Sequence, residues 1–222
     1  MTVGVTESVE AVRKRIAAAA ARRGRDPGGV TLIAVTKGHP PGAAGEALAA
    51  GVADLGEDRA DELAAKAELF PAARWHMIGQ LQTNKVKLLP SGVAAIHSVD
   101  RPSLIERLRG THFGDLYVEV NVSGEHAKAG VTPGGLPSLL HAMTAAGLKA
   151  AGLMTVAPVS GSPDDARPVF AELARLARRH GLPGLSMGMS DDFEVAVEEG
   201  ATAVRVGRAI FGERSSFREG PG

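Results

Sequence analysis

Residues 185–212 read LSMGMSDDFEVAVEEGATAVRVGRAIFG. A short apolar run at 185–187 breaks at Gly188 and Ser190, and a helical pattern over 193–199 follows and stops at Gly200. A second run at 203–206 breaks at Gly207 and leads into a short helical segment near Ile210. Each run followed by turn residues and a helical pattern is a strand–loop–helix unit. The same unit recurs back along the chain. Strands are expected at 30–36, 53–56, 75–78, 94–99, 116–122 and 149–156. Helices are expected at 42–50, 58–69, 83–89, 101–108, 134–146 and 164–180, with Asp58 in the first turn of its helix. Repeated units of this kind imply parallel strands joined by right-handed crossovers. Eight of them in 222 residues point to an α/β fold, a closed (β/α)8 TIM barrel, with the helix at 7–23 as an extra. An open doubly wound sheet is the alternative, but no GxGxxG follows the first strand. Without a linker or low-complexity tract, residues 1–222 read as one domain.

The 25 basic and 25 acidic residues cancel, so bulk charge draws the chain to neither nucleic acid nor an anionic membrane. The absence of cysteine excludes a disulfide scaffold and thiolate metal ligation, and fits a cytoplasmic protein. No apolar run reaches membrane-spanning length, and the N-terminus lacks the order of a secretory signal. Seven scattered histidines with no HExxH or clustered carboxylates give no support to a metal site.

A barrel of this kind carries its site at the carboxyl ends of the strands. The first strand, in LIAVTKGHP at 32–40, ends at Lys37. A lysine there can snorkel or pair with a strand-end carboxylate such as Glu57 or Asp100. A desolvated one can instead offer a free amine for Schiff-base formation. In the last quarter, Ser186, Gly188, Ser190 and Gly207 lie in loops at helix starts, the customary phosphate cradle of the fold. Ordinary helix capping is the plainer reading of each loop. A ligand bridging the first strand to the last two carries an aldehyde and a phosphate. Pyridoxal 5′-phosphate (PLP) has both, and a phosphosugar at an aldolase lysine is the rival.

Six ordered blocks extend this reading: LIAVTKGHP, LGEDRADEL, WHMIGQLQTNK, VNVSGEHAKAGV, GLMTVAP and LSMGMSDDFEVAVEEGATAVRVGRAIFGER. Together they closely resemble the YggS/PROSC family of pyridoxal phosphate homeostasis proteins, related to the barrel domain of alanine racemase. The resemblance runs from about residue 30 to residue 214 and implies a barrel of the alanine racemase N-terminal domain type. It also implies that Lys37 carries PLP as an internal aldimine, with Ser190, Gly207 and Arg208 around the phosphate. By the same resemblance Arg205 faces the pyridine nitrogen, where a permanent cation keeps that nitrogen unprotonated. Asn84, His76, Met187 and Asp58 complete the implied shell, although His76, like His97, can equally be a satisfied core histidine. This chain departs from the family pattern at Arg208, where a small residue is usual, and at Asp58, where asparagine is usual. Thr36, Gly38 and His39 also depart from the commoner first motif.

The resemblance implies a carrier for intracellular vitamin B6 homeostasis, holding PLP and passing it to apo-enzymes. The alternative is a weak amino-acid racemase. Two-base racemisation needs a second acid/base, which alanine racemase takes from a further domain of its dimer partner. Here the only tyrosine, Tyr117, is expected to pack in the wall of the fifth strand, and a histidine or water would have to serve. With the sequence ending soon after the barrel, a monomer is expected.

Overall fold

The computed structural model describes residues 4–125, 127–158 and 161–213. Eight strands alternate with helices: β1 (Thr31–Val35), β2 (Asp54–Glu57), β3 (Arg74–Met77), β4 (Ala95–Val99), β5 (Asp115–Glu119), β6 (Ala150–Met154), β7 (Gly184–Ser186) and β8 (Ala203–Val206). They pair in parallel and in sequence order, and β8 returns to β1 to close the barrel, with Ile33 opposite Arg205 and Ala34 opposite Val206. The α-helices are α1 (Val5–Ala21), α2 (Gly42–Ala49), α3 (Ala60–Leu69), α4 (Pro102–Leu108), α5 (Leu136–Ala145), α6 (Arg167–Arg179), α7 (Phe193–Glu198) and α8 (Arg208–Phe211). Among the described residues, no helix is long and apolar enough to cross a membrane.

Strand alternation sorts the side chains into two layers. His97 of β4 bonds to Ser186 of β7, and Ser186 to Arg205 of β8, so these side chains point into the barrel. Their strand neighbours Ile96, Leu185, Val204 and Val206 therefore point outward, where they join the apolar cluster that includes Leu63, Leu104, Phe170 and Phe193. The interior layer is polar by comparison, and room for it comes from glycine. A Cβ on Gly152 would lie 2.2 Å from the Gly184 carbonyl oxygen, and one on Gly184 would lie 2.8 Å from the Tyr117 ring. Tyr117 itself is not in the outer wall. It stacks on His97 inside the barrel, with centroids 4.7 Å apart.

Several expected elements are shorter or of another kind. Thr83–Leu88 is a 3₁₀ helix, because Pro90 holds Leu89 extended and leaves too few residues for an α-helix. Asp58 lies outside α3, which starts at Ala60 after an extended Arg59. The fifth strand stops at Glu119, where Asn121 turns its side chain to accept the Gly124 N–H at 3.0 Å. His126 and Arg214, in two of the family-like blocks, fall outside the described residues.

Helix α1 buries Val9, Val12, Ile16, Ala19 and Ala20, a single stripe at helical spacing. Beyond it, Arg25 donates to the carbonyls of Val197, Gly200 and Ala201 at the end of α7. Arg22 pairs with Glu198 at 2.6 Å, and Arg15 with Glu194 at 2.9 Å. The extra helix thus clamps the α7–β8 unit that carries both glycine-rich loops. Arg25→Ala removes the side-chain donor from the Gly200 and Ala201 carbonyls and leaves that of Val197 only its Gly200 N–H, and should cost about 2 kcal/mol in urea denaturation. The exposed pairs alone are worth less.

Candidate functional site

At the end of β1, Thr36 is buried and donates its hydroxyl to Glu57 Oε1 at 2.5 Å. Lys66, from the inner face of α3, donates to the same oxygen at 2.6 Å and to the Thr36 carbonyl at 2.8 Å. This buried pair fixes the backbone just before Lys37. The Lys37 ammonium then stands at the mouth, 3.2 Å from Asp58 Oδ2, rather than on Glu57 or Asp100.

Across the β1–β8 seam lie the two loops singled out in the sequence. Gly188 has φ +94°, and a Cβ there would meet Ala196 Cβ at 2.5 Å, so the turn after β7 admits only glycine. Asp192 accepts the Met189 N–H at 2.6 Å and braces that loop. Ser190 accepts the Ala209 N–H at 3.2 Å, which ties the loop to the first turn of α8. Gly207 abuts β1, since a Cβ on it would lie 3.2 Å from the Val35 carbonyl oxygen. His39 and Phe211 pack ring against ring at 5.3 Å, so the segment carrying Lys37 rests on α8. Arg208 turns outward to Asp191 and Glu213. Its side chain therefore pairs with exposed carboxylates rather than turning toward the loops of Ser190 and Gly207.

Arg205, on β8 two residues before Gly207, points into the barrel and is 4% exposed. It donates to Ser186 Oγ at 2.7 Å and to the Thr155 carbonyl at 2.9 Å. Burial lowers its guanidinium to about 10, against the pull of Glu119 and Asp192. Glu119, at the end of β5, is raised to about 7 by burial and by Asp100. Gln80 bridges these two acids, at 2.9 Å to Asp100 and 3.4 Å to Glu119.

The Glu119 shift has a sign that can be tested. Its folded value lies above the ordinary 4.5, so its contribution to stability is complete below that value and is lost as pH rises through 7. Glu119→Gln should match the parent below about pH 4 and exceed it by about 3 kcal/mol near pH 9 in denaturant titrations. Equal pH dependence in the two proteins would contradict this.

The structure brings Lys37, Asp58, Ser190, Gly207, Arg208 and Arg205 to one end of the barrel. It does not do so for every expected residue. Met187 is fully buried in the outer apolar cluster. Asn84 is exposed on the 3₁₀ helix. His76 lies inside the barrel, bonded to Asp54 at 2.9 Å and to His97 at 3.0 Å. Ser186 serves Arg205 and His97 rather than a loop ligand. Sequence reading missed Gln80, Glu119 and Lys66 as parts of the site. For Lys66 a signal existed: it sits three residues after Leu63, on the buried stripe of its helix.

A closed parallel barrel with a lysine ending its first strand and paired loops after its last two defines a class. Residues 8–215 match the family of the alanine racemase N-terminal domain. The chain is 44% identical to the pyridoxal phosphate homeostasis protein of Deinococcus radiodurans, over 92% of this chain and 99% of the relative. It is 41% identical to that of Aquifex aeolicus, over 94% and 97%. The structure of PipY from Synechococcus elongatus with PLP bound aligns with a TM-score of 0.72 at 35% identity, covering 90% of this chain and all of PipY. The chain belongs to the family of pyridoxal phosphate homeostasis proteins.

Proposed function

We propose that this protein binds PLP at the barrel mouth through Lys37 and acts in vitamin B6 homeostasis, holding the cofactor rather than turning over a substrate. The observation that carries the reading is the closeness of β1 and β8. β8 pairs with β1 and Gly207 packs on Val35, so Lys37 at the end of β1 and the loops of Ser190, Gly207 and Arg208 stand side by side at the same rim of the barrel. PLP supplies an aldehyde, which a neutral lysine amine takes up as a Schiff base with loss of one water. The Ser190 hydroxyl and the Arg208 N–H at the start of α8 suit a phosphate dianion. Arg205 presents its remaining N–H groups from inside the barrel, where a fixed cation disfavours a proton on a facing pyridine nitrogen. Asp58 pairs with Lys37 and must release it for the amine to react.

Racemisation is the weaker reading. Tyr117 is stacked on His97 inside the barrel, and both nitrogens of His76 and of His97 are engaged in hydrogen bonds, so none of these is offered to a substrate. The proposal includes a monomeric protein in the cytoplasm whose recipients are apo forms of PLP-dependent enzymes. Titration with PLP should give a visible Schiff-base band, and borohydride reduction followed by peptide mapping should place the pyridoxyl group on Lys37. A label confined to other lysines, or no band at all, overturns the site. Sustained α-proton exchange of L-alanine in deuterated water would favour the racemase instead.

A further inference from the structure

Inside the barrel, five side chains from five strands form one unbroken line of hydrogen bonds. Asp54 Oδ1 meets His76 Nε2 at 2.9 Å, and His76 Nδ1 meets His97 Nε2 at 3.0 Å. His97 Nδ1 meets Ser186 Oγ at 2.7 Å, and Ser186 Oγ meets the Arg205 guanidinium at 2.7 Å. All but Asp54 are buried, and Asp54, at the amino-terminal end of β2, also takes Arg74 Nε at 2.9 Å. The line therefore runs from the foot of the barrel to Arg205, two residues before Gly207.

Its two ends set its direction. A guanidinium only donates and a carboxylate only accepts. With a neutral His76, Asp54 requires the proton on Nε2, which leaves Nδ1 bare to accept from His97 Nε2–H. His97 Nδ1 is then bare too and accepts the Ser186 hydroxyl proton, while Ser186 accepts from Arg205. Every donor points the same way, and each polar atom is satisfied. In the reverse arrangement His97 donates to a serine oxygen that already accepts from Arg205. The serine proton is then left without an acceptor in a fully buried position, at a cost of about 1–3 kcal/mol.

We propose that His97 and His76, keyed by Asp54, are positioning residues for Arg205: their fixed tautomers make Ser186 a one-way acceptor for the guanidinium and so hold it facing the cofactor. The inference rests on the PLP reading for its consequence at the mouth, but the direction of the line is a property of the protein alone. Both ring nitrogens of each histidine are used within the line, so neither is offered to a ligand. Their effect passes through Ser186 to the orientation of one arginine, as an orienting carboxylate sets a histidine tautomer in other sites.

Two measurements test this. In the ligand-free protein, ¹⁵N NMR of the imidazoles, assigned with His76→Gln and His97→Gln, should show both rings protonated at Nε2 and bare at Nδ1. A wild-type His97 carrying its proton on Nδ1 overturns the proposal. With PLP added, Asp54→Asn, which keeps the shape and removes the charge that keys the line, should lose the single tautomer and raise the PLP dissociation constant about five-fold. Arg74→Ala, which removes only the other partner of Asp54, should leave both tautomers and affinity unchanged. An Asp54→Asn protein with wild-type tautomers and affinity overturns the proposal even if its melting temperature falls. A wild type that takes up no PLP sinks the cofactor reading instead, and the ligand-free tautomers still decide the direction of the line.

Discussion

Lys37→Ala is expected to give a colourless protein: no visible band on adding PLP, no pyridoxyl peptide after borohydride, and affinity lower by about 100-fold, the equivalent of two decades in the dissociation constant. What remains is the grip of the Ser190 and α8 loops on phosphate. The loss should not come from unfolding. Lys37 is 31% exposed and its partner Asp58 45%, and pairs this open contribute at most about 1 kcal/mol. Lys37→Arg sharpens the test, because a guanidinium can keep the ion pair with Asp58 yet cannot form the imine. It too should be colourless. Asp58→Asn should stay coloured, since it removes only the charge that holds the ammonium. Colour in Lys37→Ala, read by absorbance and confirmed by trapping, would place the covalent anchor elsewhere.

The barrel was legible because each strand ends in residues that cannot continue it. Gly188 and Gly207 break two runs at the point where the chain must turn into a helix; Gly188 proves to need glycine for space and backbone angle, and Gly207 lies tight against Val35. Lys37 was legible for the same reason, as a charge at the end of an apolar strand. Facing directions were harder. Met187 lies one residue from Ser186, and in a strand that single step moves a side chain from the interior to the outer layer. Asn84 lies near the start of a 3₁₀ helix where an α-helix is expected, and there its side chain is exposed. Partners across the barrel were not legible at all. His97 and Ser186 are 89 residues apart, and only closure of the sheet brings β4 opposite β7. Arg208 shows the remaining limit: its departure from the family pattern was plain, but whether its charge met phosphate or the surface depended on where Asp191 and Glu213 lay.

The largest expected loss of stability is at Lys66. Lys66→Met should cost about 3–5 kcal/mol in denaturant titrations, because it leaves a buried carboxylate without its cation. Glu57 is 0% exposed and Lys66 5%, and the same ammonium also satisfies the Thr36 carbonyl. Burial already holds Glu57 near 7, against the hydrogen bonds from Lys66 and Thr36 that lower it. With Lys66 gone the folded value rises further above the ordinary 4.5, so the deficit should be smallest in acid and should grow as pH rises. The double variant Lys66→Met with Glu57→Gln should recover most of the loss, since no charge is then stranded, and a double-mutant cycle would measure the coupling. A cost below about 1 kcal/mol, or no recovery in the double variant, would show that the pair is not what holds this corner. Function should follow stability only in part. Lys66 holds the carbonyl of the residue before Lys37, so the recovered double variant should still take up PLP less tightly than the parent, the amine being present but its backbone loosened.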